Sequence, residues 1–149
     1  MSLTVGTGPF GHRPFGVFNF ELPRREGLLY FEGSPRRIRG VFAGETVVDS
    51  RHAKLLHEQR RLPLYYFPED EVRMDLLRPS DSATHCPYKG TAAYWSVEVN
   101  GQTYEDLVWI YRTPLPESQK IAGLACFYNE KVDIYVDGHL TDRPRTPFS

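Results

Sequence analysis

One short stretch, "THCPYKGTAAYWSV" at residues 84–97, places a cysteine and a lysine close together. A cysteine acts as a nucleophile only as its thiolate, and a nearby cation lowers the pKa of a thiol. If Pro87 begins a turn, the ammonium group of Lys89 can fold back over the sulfur of Cys86. The stretch therefore predicts Cys86 as a candidate nucleophile and Lys89 as the cation that activates it. The alternative is that Cys86 is a small buried apolar residue and that Pro87 and Gly90 only form a turn.

Aromatic residues are the second signal, because tyrosine and tryptophan combine a flat apolar ring with a group that forms hydrogen bonds. Most of them fall in segments with a strand-like pattern, namely Tyr65, Tyr66, Phe67, Tyr88, Tyr94, Trp95, Trp109, Tyr111, Phe127, Tyr128 and Tyr135. Filling of a β-rich core is the simplest interpretation of this set. Each buried tyrosine hydroxyl nevertheless needs a partner, so we expect some of these tyrosines to line a concave, partly wet site.

Other polar residues give weaker signals. Asp133, Tyr135 and Asp137 share one face of a predicted strand, which is either solvated or part of a carboxylate site. The two cysteines cannot supply the Cys-x-x-Cys pairs of structural zinc sites, so we expect no metal site. Cys126, within "GLACFY", is expected in the core. The sequence does not identify a cofactor.

Composition and charge exclude two classes of partner. The 149 residues carry a formal net charge of −1, so no excess of positive charge attracts nucleic acid or an anionic membrane surface. No run approaches the roughly 18 apolar residues of a membrane span, and the first residues lack the features of an export signal. We therefore expect a cytoplasmic protein with free thiols that binds neither nucleic acid nor membrane. Its oligomeric state is not indicated.

Segments with alternating apolar and polar residues predict the strands that would hold these side chains. "AYWSVEV" is typical of a half-buried antiparallel strand, and Asn100–Gly101 predicts a two-residue turn after it. Two further turns are predicted at Asn129–Glu130 and Asp137–Gly138, each between paired strands. Six or seven short strands of this kind indicate a mainly β domain.

One helix is predicted over Arg51–Arg60. Ser50 can act as its N-cap, "RHAKLLHEQR" consists of good helix formers, and Pro63 would end it. A second, single turn of helix is predicted in the acidic segment "PEDEVR". The expected organisation is an irregular N-terminal arm over residues 1–36, one β-rich domain over residues 37–140 and a C-terminal tail over residues 141–149.

Four segments, in this order and spacing, carry a family resemblance: "YYFPEDEV", "THCPYKGTAAYWSV", "WIYRTPLPE" and "IAGLACFYNEKVDIYVDG". Across roughly Arg37 to His139, the chain resembles the domain of unknown function 427 family, which also carries a nucleotidyltransferase-like label. The resemblance implies a small, mostly bacterial or fungal domain with a β-tent-like architecture of two antiparallel sheets. No Gly-Ser helix start followed by paired aspartates supports the nucleotidyltransferase label. The family site implied by the resemblance comprises Thr84, Cys86, Pro87, Lys89, Gly90, Tyr94, Trp109 and Tyr111.

Three functions are open on this basis. The first is a small-molecule binding domain in which an aromatic pocket and Lys89 recognise a polar or anionic ligand. The second is an enzyme that uses Cys86 as nucleophile with Lys89 beside it. The third is an interaction module without a pocket. The catalytic candidates are Cys86 and Lys89, and the ligand-binding candidates are Thr84, Lys89, Tyr94, Trp109, Tyr111, Tyr66 and Tyr128. Of these, Lys89, Tyr94, Trp109 and Tyr111 are expected around a single concavity.

Overall fold

Two antiparallel β-sheets make up most of the chain in the computed structural model, which describes residues 29–58, 61–147 and 149. Short 3₁₀ turns, rather than α-helices, connect some of the strands within these residues. The strands are β1 (Leu29–Gly33), β2 (Ile38–Phe42), β3 (Glu45–Ser50), β4 (Lys54–Glu58), β5 (Leu64–Phe67), β6 (Leu77–Cys86), β7 (Gly90–Val99), β8 (Gln102–Ile110), β9 (Ala125–Phe127), β10 (Asp133–Val136) and β11 (His139–Leu140).

The larger sheet has seven strands in the order β1-β4-β5-β9-β8-β7-β6, and the smaller has four in the order β11-β10-β2-β3. Every pairing between these strands is antiparallel. The prediction of a mainly β fold with two antiparallel sheets is therefore confirmed. None of the described helical segments is long and apolar enough to cross a membrane.

The main hydrophobic core packs the two sheets together. Ile38 and Ile134 of the smaller sheet lie in one buried cluster with Val108 and Ile110 of the larger sheet. Side chains alternate along a strand, so Trp109 points to the opposite face of the larger sheet, where it belongs to a second buried cluster. The larger sheet is consequently buried on both faces around β8.

Two of the predicted turns close hairpins as expected. Asn100 and Gly101 have φ angles of 50° and 74° and join β7 to β8. Asp137 and Gly138 have φ angles of 48° and 82° and join β10 to β11. Positive φ at both central positions matches the twist of the flanking strands, which is why Asn-Gly and Asp-Gly are preferred there.

The helix predicted over Arg51–Arg60 is wrong. Residues 54–58 form β4, which pairs with β1 on one side and β5 on the other, and Leu56 is fully buried there. These pairings and this burial outweigh the helix propensity of the segment. Ser50 ends β3, and its hydroxyl accepts a hydrogen bond from the backbone N–H of His52. The acidic turn is confirmed as a 3₁₀ turn over Glu69–Glu71.

The hairpin predicted about Asn129–Glu130 is also wrong. The strand before it, β9, belongs to the seven-stranded sheet, whereas the strand after it, β10, belongs to the four-stranded sheet. β9 is already paired on both edges, with β5 and β8, so it has no edge left for β10. The turn therefore carries the chain from one sheet to the other, with the N–H of Val132 bonded to the carbonyl of Tyr128.

The predicted N-terminal arm lies largely outside the described residues. Its described end, residues 29–33, forms β1 at one edge of the seven-stranded sheet and pairs with β4. Residues 59 and 60 of the predicted helix also lie outside the described residues.

Candidate functional site

Four of the larger sheet's strands contribute side chains to one row. Tyr94 lies opposite Trp109, Trp109 opposite Cys126, and Cys126 opposite Tyr66. Residues directly opposite in an antiparallel sheet point to the same face, so these side chains lie together on the face turned away from the smaller sheet. We call this surface the aromatic face; its members are Tyr66, Tyr94, Trp109, Tyr111, Cys126 and Tyr128.

The inner part of the aromatic face is tightly packed. The Nε1–H of Trp109 donates to the hydroxyl of Tyr66 at 3.2 Å, and the Trp109 ring packs on the Tyr128 ring with centroids 4.7 Å apart. Tyr66 and Cys126 are fully buried, which confirms that Cys126 is a core residue. Burial raises the pKa of both groups far above the ordinary values, so the phenol and the thiol stay neutral.

The outer part of the aromatic face presents a chain of hydroxyl groups. The Thr84 hydroxyl, on the neighbouring strand β6, lies 2.8 Å from the Tyr94 hydroxyl, and Tyr94 also forms a hydrogen bond with Tyr128. Burial, aided by Tyr94, raises the pKa of Tyr128 to about 12. Thr84 is exposed, whereas Tyr94 and Tyr128 are half-buried. Neutral hydroxyls that can both donate and accept therefore lead from the core to solvent.

A buried ion pair lies next to Tyr111 of the aromatic face. The Lys89 Nζ is 2.5 Å from a carboxylate oxygen of Glu58, and the two side chains are only 6% and 9% exposed. The same ammonium lies 5.6 Å from the centroid of the Tyr111 ring. Arg61, 68% exposed, reaches the other carboxylate oxygen of Glu58 at 3.9 Å. The charge of Lys89 is thus compensated inside the protein.

The turn that carries Lys89 is held by the segment after β8. The Lys89 carbonyl accepts from the N–H of Leu115 at 2.9 Å, and the buried Ser118 hydroxyl donates to the Tyr88 carbonyl at 3.0 Å. Gly90, which follows the turn, has a φ of 108° and lies close to the backbone of Leu115. Only glycine adopts this φ readily, so the residue fixes the direction in which the turn enters β7.

Cys86 ends β6 opposite Gly90 and is half-buried. It lies near enough to Tyr111 to act electrostatically on its phenol, whose pKa is raised by burial and then by Cys86. The contacts that the structure gives for the Lys89 ammonium are Glu58 and the Tyr111 ring. The role of Lys89 as an activator of Cys86 stays a prediction.

The structure brings the predicted site residues to one side of the larger sheet. Thr84, Tyr94 and Tyr128 form one contact chain, and Lys89 with Tyr111 forms a second contact. A cavity of about 440 Å³ lies elsewhere and includes none of them. Its lining residues are Gly44, Glu45, Thr46, Val48, Asp49, Asp70, Glu71, Val72 and Arg73.

Glu58 is the residue that the sequence analysis missed. Its assignment to a helix separated it from the aromatic positions. If residues 54–58 are taken as a strand, Lys54, Leu56 and Glu58 all lie on one of its faces. In the structure this face of β4 adjoins the aromatic face, because Lys54 lies opposite Tyr66.

Comparison with protein families gives one match. A family model described as a domain of unknown function, DUF427, matches residues 30–138. The chain belongs to the DUF427 family. No curated protein matches it. The matched DUF427 region includes Glu58 and all the candidate residues of the aromatic face. Among the described residues, no three histidine, cysteine, aspartate or glutamate side chains group closely enough to hold a metal ion.

Proposed function

We propose that the aromatic face binds a small polar molecule. The observation that carries the proposal is the hydroxyl chain of Thr84, Tyr94 and Tyr128, which starts in the aromatic cluster and reaches solvent. Binding sites for small molecules combine apolar and aromatic walls with a few placed polar groups. Tyrosine and threonine hydroxyls supply such groups without a net charge.

The buried ion pair supports the same location. Isolated buried charges are unfavourable, and a buried pair gives less stability than well-packed apolar residues of similar volume. Lys89 and Glu58 nevertheless lie next to the aromatic face with almost no exposure. A buried pair of this kind can hold neighbouring groups in position, as the supporting residues of a binding site do. Here the pair fixes the turn that begins β7, the strand of Tyr94.

A cysteine-dependent reaction at Cys86 is the alternative proposed from the sequence. It requires the Lys89 ammonium near the sulfur, and the contacts of this ammonium in the structure are the Glu58 carboxylate and the Tyr111 ring. The binding function is therefore the one that the geometry favours. We also infer a reducing compartment such as the cytoplasm, because Cys86 and Cys126 are both free thiols.

A thermal-shift screen of polar metabolites tests the proposal. A ligand of the aromatic face raises the melting temperature of the wild type and loses its effect in Tyr94→Phe, which keeps the ring but breaks the hydroxyl chain. Tyr104→Phe is the matched control, because Tyr104 packs edge-on against Phe42, outside the aromatic face. Equal shifts in the wild type and Tyr94→Phe, or no shift with any compound, would overturn the proposal.

A further inference from the structure

The charges that act on the aromatic face restrict the ligand that it can take. Among the described residues, Lys89 contacts the aromatic face through the Tyr111 ring, whose centroid lies 5.6 Å from its ammonium, and the Glu58 carboxylate already pairs with this ammonium at 2.5 Å. The charged groups that act on the Tyr111 and Tyr128 phenols are carboxylates, Glu58 and Glu130 respectively, whereas the charge of Lys89 acts on the Cys126 thiol. An anion bound at the aromatic face would therefore experience these carboxylates and find the Lys89 ammonium already paired with Glu58.

Recruitment of Lys89 by an anionic ligand would require the ion pair to open. The Glu58 carboxylate would then remain buried without its close partner, next to a second negative charge. The exposed Arg61, 3.9 Å from Glu58, is a poor substitute because solvent screens such contacts. An uncharged ligand needs no such rearrangement. It can exchange hydrogen bonds with the Thr84 and Tyr94 hydroxyls, which donate or accept according to their rotation.

We infer that the ligand of the aromatic face is an uncharged molecule with hydrogen-bonding groups, and not the anion that a buried lysine first suggests. This inference rests on the proposed binding function and concerns the same hydroxyl chain.

Matched pairs of probes that differ in one charge test the inference. Suitable pairs are nicotinamide with nicotinate, uridine with uridine 5′-monophosphate, and glucose with glucose 6-phosphate, each at 5 mM and pH 7.5 in 0.15 M salt. The melting temperature is measured with the full chain, its Tyr94→Phe variant and the Tyr104→Phe control. The expected result is that the neutral member of at least one pair raises the melting temperature by about 3 °C at tenfold its Kd. Its charged partner has less than half that effect, and Tyr94→Phe abolishes the shift.

Two other outcomes are distinguishable from this one. If a charged member stabilises more than its neutral partner, and Tyr94→Phe abolishes that shift, the inference is overturned while the proposed binding function stands. If no member of any pair produces a shift that depends on Tyr94, both the inference and the proposed function are overturned for these compound classes.

Discussion

Removal of the Lys89 ammonium is expected to destabilise the domain strongly. Lys89→Met leaves the Glu58 carboxylate 9% exposed and without the partner that lies 2.5 Å away. Loss of one member of a buried ion pair typically costs about 3–5 kcal/mol. Arg61 lies 3.9 Å from Glu58 and is well exposed, so it offsets at most about 1 kcal/mol. We therefore expect the free energy of unfolding to fall by about 3 kcal/mol.

In a chain of this length, 1 kcal/mol corresponds to about 2–4 °C, so the melting temperature should fall by roughly 6–12 °C. The double variant Lys89→Met/Glu58→Leu removes both charges and should recover to within about 1 kcal/mol of the wild type. Lys120→Met is the control, because Lys120 is exposed and should change stability by less than about 0.5 kcal/mol.

Urea unfolding of the wild type and these three variants measures the differences in unfolding free energy. The slope m of the unfolding free energy against urea concentration should be compared between the four proteins. A cost below about 1 kcal/mol for Lys89→Met would refute the reasoning, because the ion pair would then behave as a surface contact. A double variant no more stable than Lys89→Met would also refute it, since the loss would then come from packing and not from an unpaired buried charge.

Three further predictions concern other parts of the molecule. Burial raises the pKa of Glu71, but hydrogen bonds from Ser50 and His52 outweigh it and lower the pKa below 4.5. The contribution of the charged carboxylate, about 1.5 kcal/mol, is therefore present above pH 4.5 and is lost as the pH falls through the lowered value. The stability difference between the wild type and Glu71→Gln in urea should therefore be largest at pH 7 and shrink as the pH falls below 4.5. Gly90→Ala should lower the free energy of unfolding by about 2 kcal/mol, because the φ of Gly90 is 108° and an added Cβ would lie 3.4 Å from the backbone N of Leu115. Gly33→Ala, where an added Cβ meets open space, should cost less than about 1 kcal/mol. A thiol reagent should label Cys86 in the native protein and Cys126 only in denaturant.

Each of these predictions has an outcome that contradicts it. A constant stability difference between Glu71→Gln and the wild type from pH 7 to pH 3 would mean that the charge of Glu71 is not the stabilising feature. Equal costs at Gly90 and Gly33 would remove the conformational role of Gly90. Labelling of both thiols in the native state would contradict the burial of Cys126. Labelling of neither would contradict the accessibility of Cys86.

The sequence predicted the features that depend on local patterns. Strand alternation around Trp95 and the glycine turn at Asn100–Gly101 are properties of a few neighbouring residues, and both have local physical causes. The grouping of Tyr94 with Trp109 followed from the hairpin that this turn closes.

Features that depend on distant partners were not predicted. Residues 54–58 are good helix formers, and only the pairing with β1 and β5 makes them a strand. Sequence alone cannot show that both neighbours are available, so Glu58 was not assigned to the site. The same limit explains the incorrect hairpin at Asn129–Glu130, where the occupied edges of β9 send the chain to the other sheet.

The indole N–H signals of the two tryptophans offer the most direct test of ligand binding at the aromatic face. Trp109 lies in that face, whereas Trp95 packs against the main core. The Arg112 guanidinium lies over the Trp95 ring, 5.3 Å from the ring centroid. Two-dimensional ¹H–¹⁵N spectra, assigned with Trp95→Phe, should be recorded while each compound that raises the melting temperature is titrated. We expect the Trp109 indole signal to shift in a saturable manner, with the Trp95 signal unchanged. Movement of the Trp95 signal alone, or of neither signal at saturation, would contradict binding at the aromatic face.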